Sequence, residues 1–317
     1  MALFLILSRL ASANDTCAAW DHTSSATVTV EDVGESSGVA VGPTTGMMYT
    51  LEDAGNDAVL HIVGTDGAYL GAQSVRGATN TDWEDLAAAN CPAVVDAEGC
   101  LWIADTGDND ETRDEVVLWV VPESTRAAED AVSCRVAYPS GRAYDVEALL
   151  VAPDGVVRLV TKENDGEARV FVGGPLRCDG SLEALSKEAV LEVAAPVTGG
   201  AMSADGTTVV LRTRDEALVW RGCEVDWSVA PERVDLPVQE QGEGIAMTAD
   251  GDLVTTSEGE PFRAWIGTCA REEAVPCEAS GGCGCGTGSA RGGIVVAVLA
   301  VAAALGRRYR RLNPGDP

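Results

Sequence analysis

The sequence predicts an all-β fold, a β-propeller of about five four-stranded blades, with six as the alternative count. Three observations predict it. A short apolar strand recurs five times at blade-like spacing, a glycine turn follows each recurrence, and polar residues and then a large ring follow each turn at matching distances. The recurring strands begin at Ser36, Trp83, Val146, Gly199 and Gly242, and their second positions lie 47, 63, 53 and 43 residues apart. Turn glycines stand at Gly46, Gly99, Gly155, Gly206 and Gly251, the last three in Asp-Gly pairs that favour tight hairpins. Six residues after each glycine come Glu52, Asp105, Thr161, Arg212 and Ser257, and one residue later Asp53, Thr106, Lys162, Thr213 and Glu258. Third strands then carry His61, Trp119, Phe171, Trp220 and Trp265 in similar apolar settings. A two-sheet sandwich, the competing all-β fold, has no reason to repeat three positions together.

In chain order, residues 1–13 form an apolar run ending Ala11-Ser12-Ala13, the pattern of a cleaved export signal. The propeller is expected over residues 14–276. Within it, 27–34 alternate like a strand and are expected to close the ring by completing the last blade. Segments 126–139, 181–196 and 223–237 supply fourth strands and connections. A Cys/Gly-rich linker follows over 277–293, and then a short apolar helix with a basic stop over 294–311. The apolar run Ile294–Leu305 has 12 residues, fewer than the roughly 20 that span a bilayer comfortably.

Ten cysteines suit an oxidising destination, where disulfides persist. Cys91 and Cys100 flank the turn Asp96-Ala97-Glu98-Gly99 and are placed to meet across a hairpin, while the other pairings are left open by spacing alone. The three-part tail, with Cys283 and Cys285 in a glycine-rich stretch, then Ile294–Leu305, then Arg307, Arg308, Arg310 and Arg311, resembles the myxobacterial C-terminal sorting tags called MYXO-CTERM. The resemblance covers about the last 35 residues. It implies processing near Cys283 or Cys285 and anchoring at the cell surface, so that the membrane is met only through the tag.

The formal charge of -28 and pI near 4.2 exclude a nucleic-acid-binding role, which needs a basic face, and disfavour anionic lipid headgroups. The natural counterparts are cations. Only Lys162 and Lys187 represent lysine, and only His22 and His61 represent histidine, so a Ser-His-Asp mechanism has little to draw on.

Propeller geometry turns the repeat into a site. The first strand of each blade lines the central channel, and the loop between second and third strands returns to the face where the first strand began. Glu84, Glu147 and Glu243 therefore meet Glu52, Asp53, Asp105, Asp108, Asn109, Lys162, Arg212 and Glu258 around one mouth. Crowded carboxylates raise one another's pKa or recruit a cation. Oxygen donors without a histidine cluster favour calcium, with Glu84, Asp105, Asp108, Glu147 and Glu243 as candidate ligands. The bland alternative is a structural network in which Lys162 and Arg212 neutralise the glutamates.

The motifs Asp82-Trp83-Glu84-Asp85, Gly107-Asp108-Asn109, Asp145-Val146-Glu147-Ala148-Leu149 and Gln241-Gly242-Glu243 resemble a group of exported bacterial propellers without an assigned function, over roughly residues 36–266. A looser similarity, of fold only, links the chain to calcium-dependent propeller phytases and to propeller esterases and lactonases. Two functions are expected from this. One is a surface or secreted binding module whose mouth, with Glu84, Glu147, Glu243, Lys162, Arg212 and Glu258, meets a small molecule, glycan or protein. The alternative is a calcium-assisted phosphoesterase or lactonase using Glu147, Lys162 and Arg212.

Overall fold

The computed structural model describes residues 15–22, 28–30, 33–64, 66–162, 165–259 and 262–273. The expected signal, linker, apolar helix and basic stop lie outside these residues. Among the described residues the strands run β1 (Asp15–Asp21), β2 (Val28–Val30), β3 (Ser36–Val41), β4 (Met48–Glu52), β5 (Val59–Val63), β6 (Tyr69–Arg76), β7 (Trp83–Ala89), β8 (Cys100–Asp105), β9 (Val116–Pro122), β10 (Ala128–Asp130) and β11 (Val132–Ala137). They continue as β12 (Val146–Val151), β13 (Val157–Thr161), β14 (Glu167–Gly173), β15 (Leu182–Ala184), β16 (Ser186–Glu192), β17 (Val197–Met202), β18 (Thr208–Thr213), β19 (Glu216–Arg221), β20 (Glu232–Asp235), β21 (Gln241–Met247), β22 (Leu253–Glu258) and β23 (Phe262–Glu273). No described helix is long and apolar enough to cross a membrane.

The strands assemble into five blades, as the repeat predicts, led by β3, β7, β12, β17 and β21. Those five inner strands contact one another in a closed ring. Burial falls from the axis outward for a simple reason: inner strands have protein on both faces, while outer strands face water on one. The inner β12 and second-strand β8 are wholly buried, whereas the fourth strand β6 alternates half-buried or buried with exposed residues and β16 is mostly exposed. Five apolar clusters fill the five gaps between blades, built around Trp83 and Tyr49, Trp102 and Phe171, Leu211 and Trp220, Val210 and Leu253, and Val39 and Phe262.

Ring closure extends what the sequence suggests. Val28–Val30 do pair with the last blade, but only with the start of β23, at Phe262–Ala264. The second half of β23, Thr268–Glu273, takes β1 as its antiparallel partner. The unusual length of β23, 12 residues, accommodates both partners end to end. Connections do double duty elsewhere: β10 adds parallel to β6 of the preceding blade, and β15 adds parallel to β11. Disulfides join Cys17 to Cys269, Cys91 to Cys100 and Cys134 to Cys178, and the second is the hairpin pair expected from its flanked turn.

Blade four departs from the aligned repeat. Its hairpin closes from Ser203 N–H to Thr208 O, one residue longer than Ala152 to Val156 or Thr248 to Asp252. That residue shifts every position after it. Thr213, not Arg212, occupies the place of Asp105 and Thr161, and Arg212 falls one step inside the sheet, opposite Gly199. Trp220 pairs with Val209 and so lies farther along its strand than Phe171 or Trp119 do along theirs.

Candidate metal centre at the acidic mouth

A β-bulge interrupts the start of every inner strand where it meets its second strand: between Ser36 and Val39, Trp83 and Asp85, Val146 and Ala148, Val197 and Gly199, and Gly242 and Ile245. A bulge leaves a residue out of the ladder and re-aims its side chain. The residues it frees are Ser37, Glu84, Glu147, Thr198 and Glu243, one set around the channel mouth. Just below them the ring narrows to backbone. A Cβ on Gly38 would lie 2.7 Å from Asp85 Cα, and one on Gly244 would lie 2.9 Å from the Val39 nitrogen, so only glycine lets these strands close.

Two groups of carboxylates converge above this waist, Asp53–Asp82–Glu84 and Glu84–Asp145–Glu147, each offering one oxygen per residue within 4.8 Å of the others. Glu84 belongs to both. Glu84 and Glu147 are buried, and Asp53, Asp82 and Asp145 are half-buried. Ser37 Oγ donates to the Glu84 carbonyl at 2.9 Å and reaches its carboxylate at 3.3 Å. Gly107 makes room for the group, since a Cβ there would lie 2.1 Å from Glu84 Oε1 and 2.5 Å from the Asp82 carboxylate.

Burial is the first cause of the electrostatic character of the mouth, and mutual repulsion the second. Burial, with Asp53 and Asp145 adding to it, pushes Asp82 up to about 6. Burial and the neighbouring Glu147 push Glu84 well above the ordinary range. Burial also raises Glu147, although the Lys162 ammonium pressed against its carboxylate pulls it back. Glu243 is pushed up to about 7 by burial and by Glu258, with Lys162 and Arg212 relieving it. Glu258 is raised by burial, Asp53 and Glu35. Burial works against the charge on Lys162, but Glu147, Glu84 and Asp145 more than offset it and hold its pKa above the usual value.

The structure thus brings Asp53, Glu84, Glu147, Glu243, Glu258 and Lys162 into one electrostatic neighbourhood. Other candidates are engaged elsewhere. Asp105 accepts from Arg113 at 3.0 Å, from Trp119 Nε1 at 3.2 Å and from the Asp82 N–H at 3.2 Å. Asp108 caps its own loop, accepting from the Thr112 N–H at 2.9 Å and the Arg113 N–H at 2.7 Å. The loop that carries them forms a wall of the site, and Asn109 at its tip is exposed. Glu52 turns into its blade to meet His61 Nε2 at 3.1 Å and the Gly34 N–H at 3.1 Å.

Arg212 is fully enclosed. It donates to the carbonyls of Gly244 and Thr256, both at 2.6 Å, and to Gln239, and burial lowers its pKa to about 10. The longer hairpin of blade four accounts for this placement, because one residue of slip turns a loop-end side chain into the sheet.

Asp82 and Asp145 were absent from the candidate ligands read from sequence. Their signal is present: each stands two residues before a bulge glutamate, in Asp82-Trp83-Glu84 and Asp145-Val146-Glu147. Asp82 and Asp145 stand one residue before β7 and β12, outside the inner strands from which the candidate glutamates were read. All donors in both groups are carboxylate oxygens, with neither histidine nor thiolate, which fits a hard divalent cation such as calcium or magnesium.

No protein-family profile matches the sequence, and no curated protein sequence is similar to it. Solved structures are similar in fold. A gluconolactonase from Xanthomonas campestris aligns at 15% identity and a TM-score of 0.44, over 79% of this chain and 91% of its own. The PQQ-bound aldose sugar dehydrogenase of Streptomyces coelicolor aligns at 11% identity and a TM-score of 0.45, over 77% of this chain and 98% of its own. These are likenesses in the arrangement of blades, and neither bears on the chemistry of the mouth.

Proposed function

We propose that the chain is an exported binding propeller, held at the cell surface by its C-terminal tag, whose acidic mouth binds a hard divalent cation, calcium first, and through it a ligand. The observation that carries the reading is the pair of carboxylate groups sharing Glu84, with oxygens within 4.8 Å of one another. Carboxylates so placed and so shielded from water repel one another unless protons or a cation intervene. Asp53, Asp82, Glu84, Asp145 and Glu147 would hold the ion. Bound there, it would neutralise the mouth and offer a Lewis-acidic centre to an anionic or carbonyl oxygen. The disulfides Cys17–Cys269, Cys91–Cys100 and Cys134–Cys178 support an oxidising destination. The partner expected at such a mouth is a small molecule, glycan or protein, and not a nucleic acid.

Calorimetry with calcium and with a chelator tests this. At a hundredfold excess over Kd, calcium should raise the melting temperature by about 5 °C or more. Glu84→Gln should remove most of the rise, and a melting temperature indifferent to calcium would sink the reading.

One observation favours a second reading, a metal-assisted hydrolase. If Asp53, Asp82 and Glu84 alone hold the ion, the buried Glu147, its pKa raised by burial, stands beside it as a protonatable acid, the arrangement a general acid needs. Lys162 stands in the same mouth, while Arg212 is enclosed and out of a substrate's reach. Phosphate esters and lactones are the substrates to try. Turnover that persists in Glu147→Gln would rule this arrangement out.

A further inference from the structure

We infer that Lys162 is a tethered counterion that sets where the mouth takes its divalent cation: its ammonium fills the Glu147 side and leaves the Asp53–Asp82–Glu84 side as the binding position. This rests on the divalent-cation reading and sharpens it to one of two overlapping groups.

The base of Lys162 is fixed. It directly follows β13, its N–H donates to the Asp145 carbonyl at 3.0 Å, and its carbonyl accepts from the Val197 N–H at 3.3 Å. The side chain therefore rises from a rigid seam between blades three and four. Its Nζ contacts Glu147 Oε1, and the Glu147 side chain is 3% exposed against 32% for Lys162. A buried carboxylate thus already has its cation, delivered by the chain. The same ammonium relieves Glu84, Glu243 and Glu258. The other group is different. Among the described residues no lysine or arginine forms an ion pair with Asp53, Asp82 or Glu84. The cation acting most on Asp82 is Arg113, whose guanidinium is taken up by Asp105 and the Gly107 carbonyl.

Two like charges a few ångströms apart repel strongly at the effective dielectric of such a site, so an ion seated among Glu84, Asp145 and Glu147 would have to expel Lys162. An ion among Asp53, Asp82 and Glu84 need not. Lys162 accordingly makes the mouth a one-ion site although its carboxylates outline two.

Calcium titration calorimetry on the full chain tests this with three variants. The expected pattern has one ion bound at the mouth of the wild type. Asp82→Asn should weaken it at least about tenfold and Asp145→Asn by no more than about threefold, while Lys162→Met should bind about 10- to 100-fold tighter or take a second ion. If the wild type binds calcium but Asp145→Asn costs as much as Asp82→Asn, or Lys162→Met binds no tighter, the tether is overturned and the divalent-cation reading stands. If neither the wild type nor Lys162→Met binds calcium, both fall. Binding by Lys162→Met alone would overturn the inference, because Lys162 would then close the whole mouth instead of leaving the Asp53–Asp82–Glu84 position open. Should that variant fail to fold, the two aspartate variants still decide, because both positions are half-buried and neither holds an ion pair.

Discussion

Asp85 is fully buried next to the axis, and its carboxylate accepts the Leu86 and Leu149 N–H groups at 2.8 Å each and the Gly200 N–H at 3.2 Å. One side chain therefore stitches three blades. Burial pushes its pKa well up, and the three backbone donors pull it back. Asp85→Asn keeps the shape but turns an amide toward N–H groups, so at least one donor loses its acceptor. We expect a loss of about 2–4 kcal/mol in denaturant unfolding, and a change within about 0.5 kcal/mol would contradict the stitch. The mouth above it makes a second residue-scale prediction. Asp82 and Glu243 titrate in the folded state at about 6 and about 7, above their ordinary 3.8 and 4.5. The folded chain then binds more protons than the unfolded chain between those values, so these groups favour folding at low pH and lose that contribution as pH rises through 6 to 7. In chelator the melting temperature should fall between pH 5 and pH 8, and calcium should flatten the fall. A rise over that window in chelator would show that the carboxylates are not crowded as described.

At the scale of elements, what the sequence made legible follows from what a repeat can encode. Inner strands, turn glycines and the returning second loops recur because every blade needs them, and they led directly to the mouth and to Glu84, Glu147 and Glu243. Two things were not legible. Asp82 and Asp145 stand one residue before β7 and β12, so a repeat read along the strands passes over their partnership with Glu84 and Glu147. The extra residue between Ser203 and Thr208 is equally silent, and it carried Arg212 from the rim into the sheet. The structure shows how the protein adapted to that shift: a Cβ on Gly242 would sit 2.1 Å from Arg212 Nη2 and 2.8 Å from the Arg214 carbonyl. Gly242 is thus the space that the guanidinium occupies. Gly242→Ala should force the buried arginine from its two carbonyl acceptors and cost about 2–3 kcal/mol. The same denaturation experiment reads it, and a neutral result would mean that the enclosure of Arg212 is loose.

The five described blades form a ring with unlike ends. One mouth is acidic, whereas the far half of the channel is lined by Val41, Ala88, Val151, Met202 and Met247, so the two carboxylate groups lie on one side of the glycine waist. A ring of blades needs a closure, and here its two sequence ends provide it. β1 lies along β23, Trp20 Nε1 donates to the Gly251 carbonyl at 2.7 Å, and Arg221 stacks over Trp20 at 5.0 Å while donating to the Cys17 carbonyl at 2.9 Å. The Cys17–Cys269 bond seals that seam across 252 residues of chain, whereas Cys91–Cys100 spans 9. In the chain-entropy account the stabilisation grows with the logarithm of the loop, giving about 5 kcal/mol for the first and about 3 kcal/mol for the second. Replacing each pair by alanines should therefore cost more at the seam than at the hairpin. The character of the loss should differ too. Without Cys17–Cys269, amides of β1 should lose exchange protection before the rest of the last blade, because no cross-link then holds the strand against β23. Without Cys91–Cys100, protection should fall only around the second-blade hairpin. Equal or reversed costs, or a β1 that stays protected after its disulfide is gone, would move the closure of the ring from the covalent seam to the packing of Trp20.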